Sequence, residues 1–214
     1  MYIEKINGPK DIKKFQIREL TGLADEVREA IINKVSDCGG HLASNLGMVE
    51  LTIALHYVFD SPKDKFVFDV SHQTYCHKIL TGRKDAFIEK GNYQNVTGFS
   101  NPLESEHDLF AIGHTSTSIS LAIMGHASLD GGEAFEALNC ASEITGNLIV
   151  IINDNEMSIP ENHGALGKHL RDLRLSSGTL QNNFFKALGF QYYLVTQGND
   201  IEAVIRTLNY VKDT

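Results

Sequence analysis

Apolar residues recur every three or four positions over three stretches of the chain, a spacing typical of amphipathic helices. From Asp11 one stripe continues as far as Gly39-Gly40, where we expect the helix to end. Similar stripes predict helices over 48–58 and 201–211. Weaker patterns predict helices over 119–126, 133–143 and 168–175, and a further helix that ends at Gly189. The first stripe consists of Ile17, Leu20, Leu23, Val27, Ile31 and Val35.

Short apolar runs separate these helices and predict β-strands. Leu148 to Ile152 are five consecutive apolar residues, a pattern typical of a central parallel strand that helices cover on both faces. Phe66–Val70 predicts a second strand, and 109–112 and 192–195 predict two shorter ones. The alternation of strands and helices predicts an α/β fold with a doubly wound, mainly parallel sheet and helices on both faces.

One place breaks this alternation. The helices predicted over 119–126 and 133–143 are separated by only a few residues, where a doubly wound sheet would place a strand. No apolar run is available between them to form that strand. Either the fold departs from the alternation here, or a segment is absent from the chain.

Polar residues follow three of the predicted strands, at 71–73, 113–115 and 153–155. In an open parallel sheet the carboxyl ends of the strands lie along one edge, where ligands bind. Amides and hydroxyls suit phosphate groups, and side-chain oxygens suit Mg²⁺, so the clusters predict a diphosphate site. The alternatives are an ordinary polar turn after each strand and plain helix N-capping by Thr or Ser at 115–118.

His41 lies in the flexible segment 40–47, at the entrance to a helix. The small residues around it allow the backbone to approach a ligand closely. A histidine in a loop can equally be a solvated or capping residue, and that alternative stays open at this point.

The composition restricts the kind of protein. The chain has 214 residues, 42% hydrophobic and 21% charged, which fits one domain over 1–214. A net charge of -8 without a basic run argues against a nucleic-acid partner. No apolar stretch is long enough to cross a membrane, and the N-terminus lacks a signal peptide. Cys38, Cys76 and Cys140 form no disulfide framework or zinc motif and fit a cytoplasmic location.

Taken together, these segments resemble the N-terminal part of the 1-deoxy-D-xylulose-5-phosphate synthase family, thiamine-diphosphate enzymes of the transketolase superfamily. The resemblance covers nearly the whole chain. The matching segments are Gly40-His41-Leu42-Ala43-Ser44-Asn45-Leu46-Gly47, Asp69-Val70-Ser71-His72-Gln73, His77-Lys78-Ile79-Leu80-Thr81-Gly82-Arg83, Gly113-His114-Thr115-Ser116-Thr117-Ser118, Ala134-Phe135-Glu136-Ala137-Leu138-Asn139 and Asn153-Asp154-Asn155-Glu156-Met157-Ser158-Ile159.

The resemblance implies a thiamine-diphosphate-binding fold of the PP type, with thiamine diphosphate and Mg²⁺ as cofactors. The implied activity joins pyruvate, after decarboxylation, to glyceraldehyde 3-phosphate. His41 and His72 would be catalytic, with His41 facing the substrate. The remaining implied roles are cofactor binding by His72, Gly113, His114, Thr115 and Asn155, and Mg²⁺ ligation by the Asn155 side chain and the Met157 carbonyl.

The chain departs from the family pattern in three respects. His126 stands where the family has an Mg²⁺-ligating Asp, so a segment is expected to be missing near 126–128, with an Asp-to-His change as the alternative. A second segment is expected to be missing near 175–179. The pyrimidine-binding and C-terminal domains of the family are not found, so the chain is expected to be inactive without a pyrimidine-binding half.

Two hypotheses therefore remain for the function. The chain is either the cofactor-binding half of a synthase of this type or a non-catalytic or split transketolase-like subunit that acts as a binding or assembly module. A homodimer or a pairing with a pyrimidine-binding chain is expected, because cofactor sites in this superfamily lie between domains.

Overall fold

A computed structural model describes residues 1–111, 122–125, 129, 131–141, 143, 147–154 and 164–212, with the backbone alone at 122–125. Within these residues the chain forms an α/β structure with a parallel sheet. The strands are β1 Val67–Phe68, β2 Ala122–Gly125 and β3 Ile151–Asn153. The α-helices are α1 Pro9–Ile12, α2 Ile17–Cys38, α3 Ala43–Leu46, α4 Val49–Val58, α5 Tyr75–Lys78, α6 Asp85–Ile88, α7 Gly132–Ala141, α8 Ala165–Leu175, α9 Phe184–Ala187 and α10 Ile201–Lys212. Short 3-10 turns lie at Ile3–Lys5 and Lys90–Asn95, and a π-helical turn lies at Ile79–Arg83.

Helix α2 follows the predicted apolar stripe and ends where the glycines predict. The Gly39 backbone has φ of 76°, and its N–H donates to the carbonyl of Val35. The start differs from the prediction, since 11–16 do not belong to this helix. It begins after Gln16, whose N–H donates to the Glu19 carboxylate at 2.8 Å and so satisfies a free backbone donor at the helix start.

The sheet has the order β1-β2-β3, and both pairs are parallel. The prediction of a helix over 119–126 is wrong at Ala122–Gly125, which forms the middle strand and supplies the strand that the alternation required. Four residues are too few to distinguish a period of 2 from one of 3.6, so pairing with both neighbours decides the conformation. The strands predicted at 109–112 and 192–195 are also wrong, because 109–111 and 192–195 form no strand.

Among the strands of the described residues, β3 lies at one edge of the sheet, whereas the sequence predicted a central strand. Residues 148–153, which include β3, are half-buried. The side chains at 149–152 alternate between two hydrophobic clusters. Ile149 and Ile151 pack against the larger cluster, which α2, α4 and α10 line, whereas Val150 and Ile152 pack against a smaller one from α7, α8 and α9. The strand therefore has apolar layers on both of its faces.

No helix in the described parts of the chain combines the length and the apolar character that a membrane crossing requires.

Candidate functional site

The carboxyl ends of the strands lie at one edge of the sheet, as the sequence predicted. Gly125 and Asn153 are partners at the ends of β2 and β3. The Asn153 side-chain amide lies 3.5 Å from the Gly47 carbonyl oxygen and 3.1 Å from the Met48 sulfur. The end of β3 therefore contacts the segment that carries His41.

The backbone after β1 adopts an unusual conformation immediately before His72. Val70 and Ser71 have φ of 62° and 67°, in the left-handed region that a β-branched residue such as Val70 rarely adopts. Side chains hold this turn: Gln73 Nε2 donates to the Asp69 carbonyl, and Thr74 Oγ1 donates to the Ser71 carbonyl. Such strain persists only where the surroundings impose it, and it concentrates at functional sites.

His41 and His72 meet at this edge of the sheet. Their ring centroids are 5.2 Å apart in an edge-to-face arrangement, and Phe99 packs against His41 on another side at 5.4 Å. His41 is exposed and His72 is half-buried. The two histidines that the sequence singled out, 31 positions apart, thus lie side by side at the surface.

The surroundings of His72 favour its neutral form. Burial lowers the pKa of His72, and the neighbouring His41 lowers it further. His72 Nδ1 is buried and has no hydrogen-bond partner among the described residues. Leaving a buried ring nitrogen unpaired is costly, so this atom favours a polar partner from outside the described residues.

Asn45 and Tyr75 connect the two histidine segments, and the sequence analysis did not single them out. The Asn45 amide donates to the carbonyls of His41 and His72, and Tyr75 Oη accepts from the His41 N–H. Both residues occur in polar segments of the sequence, but hydrogen bonds to backbone atoms leave no periodic signal that would reveal them.

The loop that carries Phe99 is held by two carboxylates. Thr97 N–H donates to Glu104, Asn101 N–H donates to Asp108, and Ser100 N–H donates to Ser71 Oγ. Asp108, at the end of this loop, is only 3% exposed. Segment 96–108 therefore packs against the turn that precedes His72.

Behind this loop, Asp108 lies at the centre of a buried network. Arg83 donates to both of its oxygens at 2.8 Å, and His77 Nε2 lies 3.1 Å away. Burial on its own would raise the pKa of Asp108, but the hydrogen bonds from Arg83 and His77 hold this pKa well below its usual range. Glu104 adds a second acid, paired with Lys78 and Arg83.

The ionised Asp108 fixes the tautomers of two buried histidines. Because a carboxylate only accepts hydrogen bonds, His77 Nε2 must carry the proton, and the Nδ1 of neutral His77 must accept. The 2.9 Å contact between His77 Nδ1 and His56 Nε2 is then a bond that His56 donates. His56 Nδ1 remains an acceptor without a partner among the described residues.

We predict that Gly40→Ala will destabilise the protein by about 1–3 kcal/mol, because it introduces backbone strain beside His41. Gly40 has φ of 137°, and an added Cβ would lie 2.7 Å from Tyr75 Oη. Urea unfolding at neutral pH measures the change. Gly91→Ala is the matched control, since a Cβ there would meet nothing within 4 Å. Equal effects of the two substitutions would contradict this account.

The other predicted site residues, Gly113, His114, Thr115, Asn155 and Met157, lie outside the described residues, as does His126. At the end of β3, Asp154 forms an ion pair with Arg174. Within the described residues, no group of three or more His, Cys, Asp or Glu side chains is arranged to hold a metal. The predicted Mg²⁺ ligands therefore stay a prediction.

Comparison with known proteins places these features in a family. The family model of 1-deoxy-D-xylulose-5-phosphate synthase matches residues 3–123 and 120–181. The synthase of Dictyoglomus turgidum is 41% identical over 266 residues, covering 100% of this chain and 43% of the relative. That of Listeria monocytogenes is 44% identical over 234 residues, covering 98% and 38% respectively. That of Syntrophomonas wolfei is 47% identical over 190 residues, covering 80% and 30%.

The chain spans about two fifths of the length of the first of these relatives. The alignment with it runs over 266 positions and this chain has 214 residues, so about 52 positions of the relative have no counterpart here. A family match over most of the chain and a relative 41% identical that covers all of it show that the chain belongs to the 1-deoxy-D-xylulose-5-phosphate synthase family.

Proposed function

We propose that the chain is the diphosphate-binding part of a thiamine-diphosphate- and Mg²⁺-dependent transferase of the 1-deoxy-D-xylulose-5-phosphate synthase type. The reaction is the decarboxylating condensation of pyruvate with glyceraldehyde 3-phosphate. The observation that carries this proposal is the pair His41 and His72 beside the carboxyl edge of a parallel sheet, with a His72 Nδ1 that has no hydrogen-bond partner among the described residues. Membership of the family supplies the reaction class.

Each residue has a distinct role in this proposal. His72 offers Nδ1 to a polar group of the cofactor, and the exposed imidazole of His41 takes up and returns protons on the substrate side. Thiamine diphosphate, when bound, supplies the carbanion-stabilising chemistry. The remaining roles are diphosphate binding by Gly113, His114 and Thr115, and Mg²⁺ ligation by the Asn155 side chain and the Met157 carbonyl.

The complete assembly in this proposal is larger than the described part. The fold is a doubly wound sheet of the PP type, and catalysis requires a pyrimidine-binding half, in a homodimer or supplied by a second chain. The free thiols of Cys38, Cys76 and Cys140 support a reducing cytoplasm as the compartment.

Calorimetry with thiamine diphosphate and Mg²⁺ tests the cofactor site directly. We expect His72→Gln to weaken thiamine diphosphate binding about tenfold, roughly the value of one lost hydrogen bond to a charged group. His169→Gln is the matched control, because Gln can still accept the hydrogen bond that His169 Nε2 receives from Phe184 N–H.

We also expect Asn155→Ala to weaken the Mg²⁺-dependent binding of thiamine diphosphate while the unfolding midpoint stays unchanged.

A second candidate function is a non-catalytic binding or assembly module. The family match is divided into two stretches that overlap at 120–123, and about 52 positions of a relative have no counterpart. These observations favour internal loss of sequence close to His126, where the resemblance places a metal-ligating Asp. No heat with thiamine diphosphate and Mg²⁺, either alone or with a pyrimidine-binding chain of this family, would favour the module over the transferase.

A further inference from the structure

We propose that Asn45 is a positioning residue that holds His41 and His72 at a fixed distance and orientation. This inference deepens the proposed function and depends on it for the role of the two histidines. Asn45 lies in the four-residue helix α3 and is fully buried. Its side chain is the part of the described structure that hydrogen-bonds directly to both histidine residues.

The bonds of Asn45 use the side chain in three directions. Its Nδ2 group lies 2.6 Å from the His41 carbonyl and 2.8 Å from the His72 carbonyl, and its two protons can serve one acceptor each. Its Oδ1 accepts from Tyr75 N–H at 2.9 Å. The amide thus connects the His41 loop to the turn after β1 and to the start of α5.

Only an amide of this length can make all three bonds. An Asp carboxylate has no proton to donate, a Ser hydroxyl has a single one, and Gln would place the same group one methylene further out. The requirement for two donors and one acceptor therefore dictates Asn at this position.

The target atoms distinguish positioning from general stabilisation. Asn45 binds the carbonyls of the two histidines themselves, and the N–H of His41 donates to Tyr75 Oη at 3.3 Å. The backbone of His41 is consequently held on both its N–H and its C=O side. These bonds act on an exposed loop whose preceding residues, Gly39 and Gly40, have φ of 76° and 137° and carry no side chain that would limit their conformation.

NMR of the cofactor-free protein tests this inference through the cross-peak between the His41 and His72 rings. We expect Asn45→Ser to remove or strongly weaken this cross-peak, because Ser can reach only one of the two carbonyls. Asn183→Ser is the matched control at another buried Asn. Its Oδ1 caps α9 by accepting from Phe185 and Lys186, and Ser caps a helix equally well. In this control the ring–ring cross-peak should persist.

Calorimetry on the same variants provides the second readout. We expect Asn45→Ser to weaken thiamine diphosphate binding roughly tenfold, as loss of a residue that orients a ligand group commonly does, and Asn183→Ser to leave it unchanged. A folded Asn45→Ser protein with an unchanged cross-peak overturns the inference. Should this variant not fold, Asn45→Asp decides the question, because it keeps the size of the side chain and the acceptor for Tyr75 N–H but has no proton for either histidine carbonyl. A weakened cross-peak in this variant supports the inference, and an unchanged one overturns it.

The two readouts separate this inference from the proposed function. Because the cross-peak is measured without cofactor, it can show that Asn45 positions the histidines even if thiamine diphosphate never binds. Conversely, an Asn45→Ser protein that keeps the cross-peak and binds the cofactor tightly would leave the proposed function intact and reject the positioning role.

Discussion

Replacing Asp108 with alanine should destabilise the protein by roughly 3–5 kcal/mol, the usual cost of removing one partner from a buried ion pair. Asp108 is 3% exposed and accepts from Arg83, His77 and the Asn101 N–H. Without the carboxylate, the guanidinium of Arg83, whose side chain is 10% exposed, would retain Glu104, at 3.3 Å, as its one acidic partner among the described residues. The free energy of unfolding from urea titrations at pH 7 measures this loss.

Asp60→Ala is the matched control for this prediction. Asp60 pairs with Lys13 at 2.7 Å, a distance as short as those around Asp108, but its side chain is 61% exposed. Water replaces such a pair readily, so we expect little change in stability. If Asp108→Ala had as small an effect as Asp60→Ala, the network would not be the buried support that its geometry indicates.

Loss of Asp108 should also affect the candidate site. Asp108 accepts from Asn101, and the adjacent Ser100 donates to Ser71, so the carboxylate helps to hold the loop that places Phe99 against His41. Any folded Asp108 variant should therefore show altered resonances of His41. Asp108 thus influences His41 through the loop that carries Phe99, without contacting His41 itself.

The sequence could predict the parts of the fold that bury a regular stripe. Helix α2 has apolar residues at helical spacing and a glycine at its end, and both are local signals. Strand β2 has neither, because four residues carry no recognisable period and only pairing with β1 and β3 makes them a strand. The apolar segment 192–195 is the opposite case to β2. Its composition favours a strand, but it forms none in the folded protein.

A similar division holds for the site. The resemblance of their segments to the family singled out His41 and His72, and the structure brings the two rings together, while their roles stay a proposal. Asn45 and Asp108 could not be predicted, because their importance comes from partners distant in sequence, such as His72 for Asn45 and Arg83 for Asp108. A side chain that binds backbone atoms or completes a buried network has no sequence spacing that identifies it.

Lowering the pH from 7 to 5 should destabilise the protein through the buried histidines. Burial holds the pKa of His56 well below its ordinary value, and the neighbouring His77 lowers it further. Burial also lowers the pKa of His77, although Asp108 opposes the shift. The other groups that act on His56, namely His107, Lys13 and Arg83, also lower its pKa and so disfavour its protonation.

The direction of this stability change depends on whether the folded or the unfolded state binds more protons. Below the ordinary histidine pKa of about 6.5, the unfolded chain protonates these residues while the folded chain keeps them neutral. Stability is therefore complete above that pH and is lost as the pH falls toward the folded pKa values, by at most about 1.4 kcal/mol per pH unit for each group. Urea titrations at pH 7, 6 and 5 give this slope.

His56→Phe should reduce the dependence of the unfolding free energy on pH by the contribution of up to one proton. The phenyl ring keeps the apolar contact with Phe66 but cannot titrate. The same substitution removes the donor to His77 Nδ1, so stability at pH 7 should fall as well. Tyr57→Phe, on the same helix, alters a ring without touching a histidine and should leave the slope as it is. A slope in His56→Phe equal to that of the unsubstituted protein would show that the acid sensitivity comes from groups other than His56.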